Sequence, residues 1–249
     1  RRIVSGNKSD ALRHGKAHAL GRYLALAPAG ALLSSMALAS PQGGQVVGGT
    51  GSIAQPSATQ TIVNQQTQKM AIDWQSFNLA AGESVRFNQP SSSAAVLNRI
   101  LDQNPSQIFG SIQANGRVFL ANPNGIIFGE SATINVGSFL ATTLKTSVTD
   151  FMLDGAWTLG GDNLSAGGTI VNRGLIAAAT GGSVILVGGS VLNEGTIIAT
   201  LGSVNLASGK VATLDFDGDG LLSFAVSGEV LQNTSNAASA VANTGSITA

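Results

Sequence analysis

The chain contains no cysteine, and His14 and His18 are the only histidines among its 249 residues. The absence of cysteine excludes disulfide bonds, thiol nucleophiles and cysteine-ligated metal centres. Charged residues are also scarce at 10%, against about 25% in typical soluble domains. Glycine, in contrast, occurs 32 times, and hydrophobic residues reach 43%. This balance favours many short β-strands joined by turns over a charged helical domain.

Charge is divided unevenly between the start of the chain and the rest. Residues 1–40 contain six basic residues against one acidic residue, Asp10, whereas residues 41–249 contain 7 basic and 12 acidic residues. A basic start on an acidic body is typical of a targeting segment. The body has no cluster of Lys and Arg of the kind that phosphate backbones require, so we expect no nucleic-acid partner.

Residues 23–39 form an apolar run that follows the basic stretch and ends in small residues. Ala37 and Ala39 have the spacing of a signal-peptidase site. We therefore predict an extended signal peptide over residues 1–39, export by the Sec machinery, and a mature chain that begins at Ser40.

A membrane anchor is the alternative interpretation of this apolar run. Pro28 and Gly30 interrupt it, whereas spanning a bilayer takes about 18 or more continuous apolar residues. Cleavage is therefore favoured. Because both histidines lie before the cleavage point, the mature chain lacks the residues for a Ser-His-Asp triad or a histidine-ligated metal.

An internal repeat occupies the last third of the chain, and its period is that of a solenoid unit, about 20 residues. Short apolar strands with a glycine or Asn-x-Gly at each corner are also typical of a solenoid. The framework of leucine-rich repeats is missing, so the pattern predicts an all-β fold, a parallel β-helix. The matching segments are 171–177 and 192–198, 182–187 and 202–207, and a further copy that opens at 243–247.

Apolar spacing predicts which side chains face the interior of this β-helix. Four phenylalanines recur at nearly equal intervals of half a repeat, which predicts an internal stack, and Trp74 and Trp157 are expected in the core or the cap. Residues 94–101 are expected to form one helical turn or a short helix. The predicted inward residues are Val118, Leu120, Val184, Leu186, Val204 and Leu206, with Phe109, Phe119, Phe128 and Phe139.

Residues 44–100 lack this period. Because the end of a solenoid exposes unpaired strand edges and apolar core, a capping β-subdomain is expected there. We assign residues 40–100 to the cap and first coils, and residues 101–249 to the β-helix. The repeat stops at Ala249 in mid-copy, so we expect the β-helix to continue into a C-terminal region beyond it.

One tight turn stands out between two apolar strands, at Asn122-Pro123-Asn124-Gly125 before Ile126. Proline fixes φ, and Asn-Gly tolerates positive φ, so four residues can redirect the chain between two buried segments. The physical interpretation is that both asparagines stabilise the turn through backbone hydrogen bonds. The alternative is that the segment is displayed as a recognition element.

Two groups of carboxylates are candidates for a chemical site. Asp215, Asp217 and Asp219 resemble the first half of a calcium loop, but Val226 stands where the bidentate acid should be, and a turn between two strands explains the same residues. Glu130 and Asp150 lie one repeat apart and could stack as a catalytic pair, with Lys145 as the nearby cation. We predict no cofactor and no enzymatic activity.

The extended turn region, with the segments before it, resembles the secretion domain of two-partner secretion exoproteins, the filamentous-haemagglutinin-like adhesins, haemolysins and inhibition toxins of Gram-negative bacteria. Its pieces occur in the family's order from about residue 42 to 249. A second family motif, Asn-Pro-Asn-Leu, is absent, so the resemblance is greatest to the high-molecular-weight-adhesin branch. The matching pieces are residues 45–50, 70–78, 85–90, 97–99, Asn104-Pro105 with 106–108, and 115–126.

The resemblance implies a right-handed parallel β-helix and a function in export. The domain would cross the periplasm unfolded, be recognised there by an outer-membrane barrel transporter with periplasmic domains, and fold at the cell surface. The full-length protein would be an adhesin or haemagglutinin that reaches host-cell receptors through its further regions. The alternatives are a free-standing adhesin module that binds glycan or protein, and a β-helical polysaccharide enzyme.

Overall fold

The computed structural model describes residues 40–161, 167–215, 223–227 and 240–249. The signal-peptide prediction at Ala37 and Ala39 lies outside these residues, as do two of the calcium candidates, Asp217 and Asp219. The described residues contain 23 strands and one five-residue helix. No helix among them is long and apolar enough to cross a membrane.

Twenty of the strands form three sheets, around which the chain winds repeatedly. Because parallel neighbours cannot be joined by a hairpin, each strand reaches its partner by a full circuit through the other sheets. Sheet 1 comprises β1 (Gln45–Gly48), β4 (Lys69–Trp74), β6 (Ala95–Ile100), β9 (Arg117–Ala121), β12 (Ser138–Thr142), β16 (Ser183–Gly188) and β19 (Ser203–Ser208). Sheet 2 comprises β7 (Ser106–Ile108), β10 (Ile126–Phe128), β14 (Thr169–Asn172), β17 (Ser190–Asn193) and β22 (Val241–Asn243).

Sheet 3 has eight strands and completes the β-helix. Its members are β2 (Gly51–Ser57), β3 (Gln60–Gln65), β5 (Ser84–Asn88), β8 (Ser111–Ala114), β11 (Thr133–Val136), β15 (Leu175–Ala178), β18 (Thr196–Ile198) and β23 (Ser246–Thr248). Six successive parallel strands in sheet 1 correspond to six stacked coils. The predicted parallel β-helix is confirmed.

The N-terminal end of the β-helix is closed by two antiparallel strands. Strand β1 pairs antiparallel with β4, and β2 pairs antiparallel with β3, whereas the strands that follow in sheets 1 and 3 pair in parallel. These two strands satisfy the backbone groups that the first coil would otherwise expose. The expected capping β-structure is therefore present.

Coil length explains why the repeat is visible in only part of the sequence. In sheet 3, Gln60 aligns with Ser84 and Ser84 with Ser111, so the first coils are several residues longer than the repeat. In sheet 1, Ser183 aligns with Ser203, which is the predicted spacing. A coil with a longer corner keeps its strands in register but loses the sequence period.

The interior of the β-helix is a single apolar column of buried side chains. Val118, Leu120, Val184 and Leu186 are buried in it, and Val204 and Leu206 pack against it partly buried, as predicted. Trp74 is also in this core. Phe128 and Phe139 make an edge-to-face contact there, with ring centroids 5.7 Å apart.

Three expectations about local structure were wrong. Phe109 is 38% exposed, and Phe119 is buried on the outer side of sheet 1 instead of in the interior. Residues 95–100 form strand β6, which pairs with β4 and β9, instead of a helical turn. The apolar pairs in this segment are buried on both faces of the sheet, which produces a run that resembles a helix.

A second apolar core lies against the outer face of sheet 1. It is built by two insertions that leave the coils, the first carrying α1 (Val148–Met152) and β13 (Trp157–Gly160), the second carrying β20 (Val211–Asp215) and β21 (Ser223–Ser227). Strand β20 pairs antiparallel with both β13 and β21. These elements form what we call the outer layer. Its buried residues include Phe151, Trp157, Leu159 and Leu214, which pack with Leu97, Phe119, Leu140 and Ile185 of sheet 1.

Aromatic contacts and an arginine hydrogen bond attach the outer layer to sheet 1. The ring of Phe119 lies 5.8 Å from Trp157 and 6.0 Å from Phe151, centroid to centroid. Arg99 binds Asp73 through two 2.7 Å contacts on neighbouring strands of sheet 1, and it also donates to the carbonyl of Thr146 at 3.3 Å. The bidentate pair fixes the guanidinium of Arg99 on the sheet, and the bond to Thr146 holds the start of the insertion against it.

Candidate functional site

The Asn122–Gly125 turn forms the corner between sheet 1 and sheet 2, where β9 ends and β10 begins. The amide of Gly125 donates to the carbonyl of Asn122 at 3.1 Å, which closes a four-residue turn. The side-chain oxygen of Asn122 accepts from the amide of Asn124 at 2.9 Å. Gly125 has φ +124°, which an L side chain rarely adopts. Ile126 follows at once as a fully buried core residue.

Asn122 connects this corner to the preceding coil. Its side chain is fully buried and donates to the carbonyl of Asn104 and to the hydroxyl of Ser106, both at 3.0 Å. With the acceptor bond to Asn124, all the polar atoms of the amide have partners. A buried amide satisfied on every side stabilises one geometry and costs free energy if it is truncated.

Asn124 is exposed, but its side chain is also engaged. Its amide nitrogen donates to the carbonyl of Asp102 at 2.7 Å. Asn104 and Pro105 belong to the corner of the preceding coil, where the side-chain amide of Asn104 donates to the Asp102 carboxylate at 2.8 Å. Successive corners therefore stack, and the two sequence-predicted Asn-Pro segments lie next to each other in the structure.

The same corner is the base from which the first insertion leaves and to which it returns. On the outgoing side, the amide of Asn122 donates to the carbonyl of Thr142 at 3.0 Å. On the returning side, the amide of Gly168 donates to the carbonyl of Pro123 at 2.7 Å. A Cβ atom at Gly168 would lie 2.5 Å from the carbonyl of Asn124, so only glycine fits. The turn thus joins three coils and the outer layer.

A buried asparagine ladder occupies a different corner, between sheets 2 and 3. Asn172 donates to Asn193 and Asn193 donates to Asn243, each at 2.7 Å. These residues align in register on successive strands. The sequence repeat identified the equivalence of the asparagines but not the side-chain ladder; its signal was the recurrence of Asn two residues before Gly.

A second buried amide network closes a corner between sheets 3 and 1, and sequence analysis did not detect it. Gln89 donates to the side chain of Gln65 at 2.9 Å and accepts from the amide of Gly116 at 3.0 Å. Gln65 in turn donates to the carbonyl of Ala95 at 3.0 Å. Nothing in the local sequence marks these glutamines as buried, because their spacing follows the longer first coils.

The suggested carboxylate pair is not assembled. Glu130 lies in the exposed turn between β10 and β11, whereas Asp150 lies in α1 of the outer layer. The spacing of one repeat does not hold here, because an insertion follows β12 and Ile126 aligns with Ile170, more than two repeats further on. Lys145 belongs to the same insertion. The stacked pair that the spacing allowed is therefore not formed.

Of the three calcium candidates, the structure describes only Asp215. Asp215 ends β20 and aligns with Ser223 of β21 in an antiparallel pair. Among the residues that the structure describes, no group of three or more His, Cys, Asp or Glu side chains is arranged to hold a metal ion.

Taken together, these observations describe a β-solenoid: a capped parallel β-helix whose corners are held by buried amides. Residues 37–249 match the family model of the TPS secretion domain. The chain belongs to this family, which is the two-partner secretion family suggested by the sequence. It is therefore the secretion domain of an exoprotein.

Solved and curated relatives agree with this assignment. The crystal structure of the HMW1 secretion domain from Haemophilus influenzae is similar with a TM-score of 0.71 and 34% identity, over 84% of this chain and 53% of that one. Two heme/hemopexin-binding proteins of Haemophilus influenzae are 44% and 43% identical over 103 residues, which is 41% of this chain. The matched region is 11% of the length of either curated relative.

Proposed function

We propose that this domain is the export address of a large exoprotein and that an outer-membrane barrel transporter recognises it in the periplasm. The observation that carries the proposal is the match of residues 37–249 to the secretion-domain family. The protein would reach the cell surface of a Gram-negative bacterium through this transporter, after Sec-dependent passage of the inner membrane and cleavage after Ala39.

The fold suits this route on physical grounds. Each coil contacts mainly its neighbours, so a β-helix can grow one coil at a time as the chain emerges. Burial of apolar surface outside the cell, at about 25 cal/mol per Å², would favour outward movement without ATP. The absence of cysteine means that no periplasmic disulfide can obstruct threading.

Co-expression with the cognate transporter tests the export proposal. We expect the chain to appear outside the cell only when the transporter is present, with Ser40 as its N-terminal residue. A transporter that lacks its periplasmic domains is the matched control and should leave the chain in the periplasm. Equal secretion with and without the transporter would contradict the proposal.

For the exoprotein as a whole, we favour an adhesin, because the resemblance is to the high-molecular-weight-adhesin branch. Heme or hemopexin capture is the second candidate, favoured by the names of the curated relatives. We place neither activity in the described residues, which contain no histidine or cysteine. Binding of the exoprotein to host cells, compared with its binding to heme and to hemopexin, distinguishes the two.

The domain itself would act without catalysis. The match to a secretion-domain family supports this proposal, as does the placement of Glu130 and Asp150 in different elements. A polysaccharide-cleavage assay checks it: sugar cleavage that is lost on Glu130→Gln or Asp150→Asn would contradict the proposal.

A further inference from the structure

We propose that Asn115-Gly116 and Asn124-Gly125 are deamidation sites in the unfolded chain and that folding of the β-helix protects both from the reaction. They are the only two Asn-Gly pairs in the sequence. Glycine after asparagine leaves the main-chain nitrogen unhindered, so it can attack the side-chain carbonyl carbon of the asparagine. Ammonia leaves, a five-membered succinimide forms, and water opens the ring to give aspartate or isoaspartate.

This reaction requires the asparagine side chain to swing towards the nitrogen of the next residue. In the folded corner at Asn124, the side-chain nitrogen is held by the carbonyl of Asp102 at 2.7 Å. The attacking nitrogen of Gly125 already donates to the carbonyl of Asn122 at 3.1 Å. Gly168 also packs against the carbonyl of Asn124. The attack would therefore have to break a hydrogen bond on each of the two reacting groups.

The pair at Asn115 is protected in a similar way by hydrogen bonds to one residue, Gln89. The side-chain oxygen of Asn115 accepts from the amide of Gln89, and its nitrogen donates to the carbonyl of Gln89, both at 2.8 Å. The nitrogen of Gly116 donates to the side-chain oxygen of Gln89 at 3.0 Å. Reaction in the folded state would need this corner to open, which multiplies the rate by the small population of the open form.

The products would interfere with folding at the same corners. Aspartate at position 124 has no donor for the carbonyl of Asp102, so its carboxylate would face that oxygen without a hydrogen bond. Isoaspartate adds a main-chain atom within the turn, which moves Gly125 out of register with the carbonyl of Asn122. If the chain stays unfolded before export, as proposed above, the extent of deamidation at these two positions would increase with the time that it spends unfolded.

A matched control can be built at the exposed turn that contains Ala81 and Gly82. Gly82 has φ +86° and no atom within 4 Å of where a Cβ would lie, and Ala81 is exposed. The substitution Ala81→Asn creates a third Asn-Gly pair without the contacts that hold the other two. The purified Ala81→Asn chain is incubated folded and in urea, and each pair is followed by peptide mass spectrometry and enzymatic isoaspartate labelling.

In urea, we expect all three pairs to deamidate at similar rates. In the folded chain, position 81 should react, while positions 115 and 124 should be slower by at least about tenfold, the ratio that an opening free energy of only about 1.4 kcal/mol produces. Comparable rates at 81 and 124 in the folded chain would overturn the proposal. So would a lack of reaction at 115 and 124 in urea.

A refolding experiment tests the consequence for folding. The chain is held in urea for increasing times and then refolded by dilution, and the folded and unfolded fractions are separated. We expect isoaspartate at positions 115 and 124 to be depleted in the folded fraction, whereas isoaspartate at position 81 is distributed equally. Equal distribution at all three positions would contradict the effect on folding. Because no transporter is used, the outcome is independent of the export proposal.

Discussion

The two cores on opposite sides of sheet 1 are built by different rules. The inner core stacks equivalent residues of successive coils, such as Val184 above Phe139 and below Val204. The outer core gathers residues from α1, β13 and β20, which repeat nothing in the coils. The inner core grows with each coil, whereas the outer core is complete only when β20 has paired with β13. Sheet 1 therefore contributes to both an inner core that forms coil by coil and an outer core that requires contacts between distant segments.

The largest loss of stability is expected from a substitution in the inner core. Val184→Asp would bury a carboxylate without a partner at a position that is fully buried, and we expect a loss of several kcal/mol in the free energy of unfolding, or failure to fold. Urea unfolding followed by circular dichroism measures it. The matched variant Val204→Asp is partly buried and should lose clearly less. Equal losses for the two variants would contradict the assignment of Val184 as more deeply buried than Val204.

The next largest loss of stability is expected from a substitution in the outer core alone. Phe119→Ala removes a ring that is fully buried between Phe151 and Trp157, so we expect a loss of about 3–5 kcal/mol in unfolding free energy. Phe109→Ala is the control, because Phe109 is 38% exposed and should cost well under half as much. A larger loss for Phe109 than for Phe119 would reverse the assignment of the two rings.

A smaller effect concerns the asparagine ladder. Asn193→Ala leaves the donor of Asn172 and the acceptor of Asn243 without the partner at 2.7 Å that each has in the ladder, and we expect a cost of about 1–3 kcal/mol. Thermal melting of the purified protein measures it. Asn135→Ala, at an exposed position on β11, should change the melting temperature little. A melting temperature for Asn193→Ala equal to that of Asn135→Ala would show that the ladder does not contribute.

Sequence patterns predicted the inner core better than the outer one, and the difference has a physical cause. Periodicity reports contacts between equivalent residues, so Val118, Leu120, Val184 and Leu186 could be placed correctly. The outer layer consists of insertions, and its residues have no equivalents in other coils. One signal was available: strands such as Val184–Val187 are apolar without alternation, which indicates burial on both faces of a sheet.

The corner at Asn122 was predicted as a turn, but its connections were not. A four-residue pattern specifies local φ and ψ preferences. It does not specify that Thr142 and Gly168, the two ends of an insertion, would be held by the same turn. Likewise, Phe109 and Phe119 follow one interval in sequence, yet neither ring joins the inner core, because an interval along the chain does not report where each corner between sheets falls.

We propose that Asn122 and Asn124 act in folding of the corner, not as contacts for the transporter. Asn124→Ala removes the bond to Asp102 and should lower the free energy of unfolding by about 1 kcal/mol; Asn122→Ala, at a fully buried site, should lower it by more.

The direct test measures two quantities on the same two variants: the melting temperature of the purified protein and the affinity of the unfolded chain for the transporter's periplasmic domains. We expect lower melting temperatures, with Asn122→Ala below Asn124→Ala, and unchanged affinity, because binding precedes folding. Weakened affinity with unchanged melting temperature would contradict it and would identify the turn as a recognition element.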